Sequence, residues 1–237
     1  MCIRDRIEPP FGERTSAGES PFPDWLTTPV PAIARASVVL PSSALPEAEA
    51  PKRRSAAAEQ AQAEAMARGT LMHRMLQSLP DIAPLRREAA AHGYLAHAAA
   101  AFSAGERSLF ASRVLAILGD PRFAALFASG SRAEVPIVGR LARDSGAVLH
   151  VSGQIDRLAV TDEAVLIADY KTNRDPPAAV ADAPPVYVGQ LALYRMVLAR
   201  IYPDRPIRAV LVWTEVPDVM ELPAAMLDEA AACIASG

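Results

Sequence analysis

The stretch AVLHVSGQIDRLAVTDEAVLIADYKT, residues 147–172, decides the fold. Its two halves, AVLHVSGQIDRLAV and AVLIADYKT, are rich in Val, Ile and Leu and are separated by the polar turn TDE. They read as consecutive antiparallel strands joined by a tight turn. Side chains alternate along a strand, so Asp169 and Lys171 share one face with Val165 and Ile167. Ionised groups on so apolar a strand are costly unless they are paired or bound to a metal. Asp156 sits in similarly apolar surroundings in the first strand, and the hairpin brings it near Asp169 at one end of the sheet. Two adjacent carboxylates repel unless a cation lies between them, and an oxygen-rich site with room for water suits Mg²⁺. Plainer readings stand beside this one: Asp169 and Lys171 as a structural ion pair, and Asp156 as the partner of Arg157 or another arginine.

Working outward, EVPIVGRLA (134–142) and IRAVLVWTEV (207–216) also read as strands, with VMELP (219–223) as a short edge strand. YVGQLALYRMVLARIYP is an amphipathic helix ending before Pro203, and AAMLDEAAACIA closes the chain as another helix. Upstream, alanine-rich sequence predicts a helix from an N-cap at Ser55 to Pro80, a second over about 84–104 and a third over about 106–118. Pro121–Ala128 reads as a short helix or turn. The order predicts an α/β (α+β) fold: a central mixed sheet flanked by helices, with an N-terminal helical segment.

On the first helix, Gly69 and His73 lie four residues apart and so share a face. A mid-helix glycine costs about 1 kcal/mol relative to alanine and commonly marks a close approach. A histidine so placed is either a satisfied core or surface residue or a ligand. His92, His97 and His150 have no comparable setting and read as structural.

Hydrophobic residues make up 51% and charged residues 22% of the 237, enough apolar sequence for a real core. The formal net charge of -3 excludes a global basic footprint, which counts against an autonomous, tight nucleic-acid binder. The two cysteines, Cys2 and Cys233, stand at opposite ends and support neither a zinc site nor an iron–sulfur cluster. Together with the absence of a signal peptide or an apolar run long enough to span a membrane, they point to a cytoplasmic protein. Residues 1–54 are Pro-rich, and PFPDWLTTPVPAIA and PSSALPEAEAPKRR read as a linker or disordered extension.

Asp156, Asp169-Tyr170-Lys171, Gly69-x-x-x-His73 before them and Gln190-x-x-x-Tyr194 after them resemble the PD-(D/E)XK nuclease core of the RecB/AddA type. GTLMHRMLQSLP, SGQIDRLAV, IADYKTNRDPP, YVGQLALYRMVLARIYP and VLVWTE resemble the AddA type closely. The likeness runs from about residue 60 to the end, and PSSALPEAEA resembles the family's lead-in. It implies a nuclease domain over 55–237, cleaving DNA in double-strand-break repair as the C-terminal part of a helicase–nuclease. His73, Asp156, Asp169 and the Tyr170 backbone carbonyl would hold Mg²⁺, with Mn²⁺ also accepted because of the histidine. Lys171 would be the catalytic lysine. Glu134 matches an additional acidic position, and Gln190 and Tyr194 would hold the active-site helix or contact DNA. A helix simply packed by Tyr194, with Gln190 capping a backbone group, is the plainer alternative.

The partners implied are DNA, fed as a single strand from a duplex end, and an AddB-type subunit. The chain has no G-x-x-x-x-G-K-[ST] loop, so no ATP site is expected in it. Two rivals remain: a non-catalytic module of the same fold that grips DNA or a partner, and a free-standing RecB-family exonuclease.

Overall fold

Strand pairing in this chain is organised around its longest strand. A computed structural model describes residues 56–173 and 175–236 and the backbone of the strand Val38–Val39, all within one unit, residues 37–237. The expected N-cap Ser55 and the rest of the segment 1–54 lie outside the described residues. The strands are β1 (Val38–Val39), β2 (Arg132–Ala142), β3 (Val148–Val160), β4 (Val165–Lys171), β5 (Ile207–Trp213) and β6 (Asp218–Leu222). The sheet order is β1-β3-β4-β5-β6, with β2 also pairing with β3. β3 runs antiparallel to β2 and β4, β4 parallel to β5, and β5 antiparallel to β6. The mixed sheet predicted from the order of elements is therefore present; β1 also runs parallel to β3, and the β4–β5 crossover carries a helix, as a parallel pair requires.

Among the described residues, five α-helices flank it: α1 (Ala56–Ser78), α2 (Pro84–Ala98), α3 (Ala104–Gly119), α4 (Pro185–Ile201) and α5 (Ala224–Ser236). The second expected helix stops six residues early. Ser103 accepts from the Glu106 backbone N–H while Glu106 accepts from the Ser103 backbone, a capping box that commits Ala104 to α3. Phe102 then turns inward, edge-to-face against Phe110 at 5.2 Å. The chain leaves helical geometry at Ala99 despite its run of alanines.

Two apolar cores sandwich the sheet. Ile137, Leu141, Val151, Ile155, Val165 and Ile167 pack against Leu191, Leu193 and Val197 of α4 and Leu227 of α5. On the other face Ala159, Leu166, Ala168, Tyr170 and Val212 meet Met72, Leu76, Leu95, Phe110 and Val114 of α1–α3. Burying each large aliphatic side chain contributes roughly 1.5–3 kcal/mol, so the two layers hold the sheet from both sides.

The alternation is broken at one place. On β3, Val151 and Ile155 belong to the α4 core, but Arg157 and Ala159, of the same parity, face the opposite layer. Arg157 is 2% exposed, donates from Nε to the Leu126 carbonyl at 3.2 Å and lies over the Phe127 ring. The phase slips at Asp156. Across the ladder, Ala133 pairs with Arg157 and Val135 with Ile155, leaving Glu134 facing Asp156. Glu134 has φ 52°, the sole left-handed non-glycine among the described residues. Such a backbone costs on the order of 1–3 kcal/mol and persists only where its surroundings enforce it.

α4 crosses β2 closely at Gly139. A Cβ there would lie 2.6 and 2.7 Å from the two methyl groups of Val197, whose branched side chain is stiff at χ1. Gly139→Ala is expected to lower stability by about 1–3 kcal/mol in urea unfolding. Adding Val197→Ala to it should recover part of that loss, whereas simple additivity of the two costs would show that the contact is not the cause.

Candidate functional site

The β3–β4 ladder ends at the pair Arg157–Ala168, and the next backbone donor, Tyr170 N–H, finds a side chain instead. Asp156 Oδ2 accepts from it at 2.7 Å. This bond ties down one carboxylate oxygen. Oδ1 faces His73 Nδ1 at 3.8 Å, too far for a hydrogen bond. His73 Nε2 meets the Tyr170 carbonyl at 3.2 Å. A carbonyl only accepts, so Nε2 carries a proton. In the neutral imidazole Nδ1 then presents its lone pair, and two acceptors face each other with no donor between them. Atoms ligating one small cation at about 2.1 Å each stand no more than about 4.2 Å apart, so the gap has the size a cation needs.

Glu134 brings a third candidate ligand atom. His73, Glu134 and Asp156 offer donor atoms within 4.8 Å of one another, all partly exposed. The left-handed backbone at Glu134 aims its side chain there, and Gln154 Nε2 donates to its Oε2 at 2.5 Å. These residues border a cleft of about 520 Å³ lined also by Gly69, Thr70, Arg74 and Gln77 of α1.

Asp169 stands outside that triad. It is 5% exposed, and its Oδ2 forms an ion pair with Lys171 Nζ. Burial pushes its carboxyl up, and Lys171 and then His73 oppose the shift. Asp156 is pushed up to about 6, first by burial and then by the Asp169 charge, against the His73 and Tyr170 N–H contributions. The Asp169 charge raises Asp156, and Glu134 adds to it, so a cation is what would relieve the excess negative charge.

Lys171 Nζ also donates to Gln190 Oε1 at 3.4 Å, and Gln190 Nε2 reaches the Tyr194 hydroxyl at 3.4 Å. That hydroxyl donates to the Gln154 carbonyl at 2.8 Å and accepts from the Gln154 N–H at 3.2 Å. Tyr194 therefore pins α4 to β3 beside Glu134, while Gln190 is a side-chain partner of Lys171. Arg157 points away from Asp156, so the arginine-paired reading of that carboxylate does not describe it. His97 bonds within its own helix, to the Gly93 carbonyl.

Several contributors did not stand out in the sequence. Gln154 lies two residues before Asp156 and braces Glu134. Tyr187 lies one helical turn before Gln190, with its ring centroid 4.0 Å from Lys171 Nζ. Both could have been found by extending the strand and helix periods from the acidic and glutamine positions. Glu215, buried beyond the end of β5, pairs with Arg113 of α3 at 2.5 Å and with Arg68 of α1 at 4.0 Å. Beside Arg68, a Cβ on Gly69 would meet Thr172 Oγ1 at 3.3 Å. Together these contacts set α1 against the end of β4, one turn before His73.

The sequence pattern of the PD-(D/E)XK nuclease superfamily matches residues 47–231. No curated protein matches the chain. The crystal structure of SSO0001 is similar over 69% of this chain and 73% of its own, with 13% identity and a TM-score of 0.31, too low to bear on the argument. Among the described residues, no helix is long and apolar enough to cross a membrane.

Because the folded protein raises the Asp156 pKa, it holds that proton more tightly than the unfolded chain does. Its contribution favours folding below about pH 4 and is lost as pH rises through about 6. In EDTA, Asp156→Asn is expected to equal the wild type near pH 4 and to exceed it by on the order of 1–3 kcal/mol at pH 8. Chemical denaturation at the two pH values measures this. A variant less stable than wild type at pH 8 would show that the buried charge is already compensated.

Proposed function

The chain belongs to the PD-(D/E)XK nuclease superfamily, and we propose that it is a metal-dependent deoxyribonuclease. The observation that carries this reading is the convergence of His73, Glu134 and Asp156, with His73 Nδ1 and Asp156 Oδ1 3.8 Å apart. The donor set fits a hard divalent cation: carboxylate oxygens with room for water. The imidazole nitrogen extends the fit from Mg²⁺ to Mn²⁺. The RecB/AddA resemblance adds Asp169 and the Tyr170 carbonyl to the ligands; here the carbonyl meets His73 Nε2, and Asp169 pairs with Lys171.

Hydrolysis adds water across one P–O bond, leaving a phosphate monoester and a free hydroxyl. The bound cation would supply a water of lowered pKa and positive charge for the phosphate oxygens. The chain does the rest. The Tyr170 N–H aims Asp156 Oδ1 at the cation, and the Tyr170 carbonyl fixes the His73 tautomer. Asp169 pairs with the Lys171 ammonium. The ammonium then donates to the attacking water or to a phosphate oxygen where negative charge develops. The long Gln190 contact is the one that a substrate oxygen would replace.

The resemblance supports a finer reading: the nuclease domain of an AddA-type helicase–nuclease, acting in the cytoplasm as an exonuclease during double-strand-break repair. The net charge of -3 fits an enzyme that receives its strand from a helicase and an AddB-type subunit rather than capturing DNA unaided.

The first test incubates the chain and Asp169→Ala with linear single- and double-stranded DNA, in Mg²⁺, Mn²⁺ or EDTA. Metal-dependent cleavage that Asp169→Ala lowers by about 100-fold or more is the expected result. Below pH 6 the rate should fall about tenfold per pH unit, because the cation must displace the Asp156 proton. A well-folded chain that stays inert even with the helicase and AddB-type subunit supplied would favour the non-catalytic DNA-gripping reading.

A further inference from the structure

Lys171 is one of only two lysines in the chain, the other being Lys52; every other basic side chain among the 24 is arginine. A compact ammonium on a flexible stem has been kept where arginine is otherwise used throughout, and such a stem needs external restraint to act at a point. Asp169 Oδ2 takes one side of the ammonium and Gln190 Oε1, at 3.4 Å, takes another. The remaining side is closed by the face of Tyr187, whose ring centroid lies 4.0 Å from Nζ.

The ring is itself held. Its hydroxyl donates to Asn173 Oδ1 at 3.2 Å, and Trp213, 1% exposed, lies against it at 6.2 Å between centroids. Asn173 is two residues beyond Lys171, and Trp213 is the β5 partner of Lys171. The aromatic face is thus braced by the segment that carries the ammonium. Tyr187 and Gln190 are one turn apart on α4, so a single helix supplies both the ring and the exchangeable amide.

From this geometry we infer that Tyr187 is a positioning residue: its ring face holds the Lys171 ammonium in place while the Gln190 contact gives way to a substrate oxygen. Cation–π attraction suits the task because it is not a hydrogen bond, and it holds the charge without consuming an N–H the substrate needs. The inference rests on the reading of Lys171 as the catalytic lysine. It adds that the residue's precision comes from α4 as well as from Asp169.

Two measurements test it on the full chain. In the first, wild type, Tyr187→Leu and Tyr187→Phe are treated with limiting acetic anhydride in EDTA without DNA, and acetylation of Lys171 relative to Lys52 is read by peptide mass spectrometry. Tyr187→Leu should raise that ratio severalfold, and Tyr187→Phe, which keeps the ring, should stay near wild type. In the second, steady-state cleavage in Mg²⁺ should show kcat down about tenfold in Tyr187→Leu with KM within about twofold, and most of the loss recovered in Tyr187→Phe. Thermal unfolding confirms that each variant is folded, and the Phe variant carries the comparison if Leu is not.

An unchanged acetylation ratio, an unchanged kcat, or a Phe variant as impaired as Leu would overturn the inference while metal-dependent, Asp169-sensitive cleavage by wild type still stood. If wild type shows no such cleavage under any condition, the nuclease reading itself fails, and the catalytic part of the inference fails with it.

Discussion

The hydrogen bond from the Tyr170 N–H to Asp156 Oδ2 is the constraint on which the site depends. It stands where the β3–β4 ladder would otherwise continue, so a carboxylate substitutes for a backbone carbonyl at the last rung. The substitution has two consequences. It satisfies a donor that would be costly to leave unpaired at a strand end, and it turns the other carboxylate oxygen toward α1. The slip in strand phase at Asp156 and the left-handed Glu134 opposite it belong to the same local event. Because they stand directly opposite each other on the ladder, the two acidic side chains share a face, and their oxygens lie near His73.

A second constraint brings the helical layer to meet them. Glu215 is buried beyond the end of β5 and is matched by arginines from two different helices. A buried carboxylate without such partners would be strongly destabilising, so the pairing sets the seat of α1 as well as neutralising the charge. Gly69 lets α1 approach Thr172 closely, and one turn later His73 reaches the Tyr170 carbonyl and packs edge-to-face on the Tyr170 ring at 5.4 Å. Tyr170 is the joint between the layers: its backbone serves Asp156 and His73, and its buried side chain belongs to the α1–α3 core.

The electrostatics show the tension of a binding site. Asp156 and Asp169 are both held above the ordinary carboxylate range, chiefly by burial; His73 and the Tyr170 N–H oppose the shift at Asp156, and Lys171 and then His73 oppose it at Asp169. The arrangement is intelligible as one that reserves stability for a cation and suits a group whose ionisation is linked to binding.

The periods of the sequence determined a good deal by themselves. The run from Val165 to Lys171 could only be a buried strand ending in charge, and Pro184, Pro203 and the apolar residues between them could only bound a core helix. Gly69 and His73, like Gln190 and Tyr194, were legible as pairs sharing a helix face, because 3.6-residue geometry is local. The early end of α2 was missed, although the Ser103-x-x-Glu106 spacing that causes it stands in the sequence. Three things waited for the tertiary structure. Glu134 joins His73 and Asp156 through a left-handed turn of one residue, Tyr187 closes over the ammonium, and Glu215 gathers two arginines from distant helices. Each depends on where two elements far apart in the chain come to rest, and on how a break in a ladder re-aims one side chain. Periodicity assigns a residue to a face; only packing decides what that face meets.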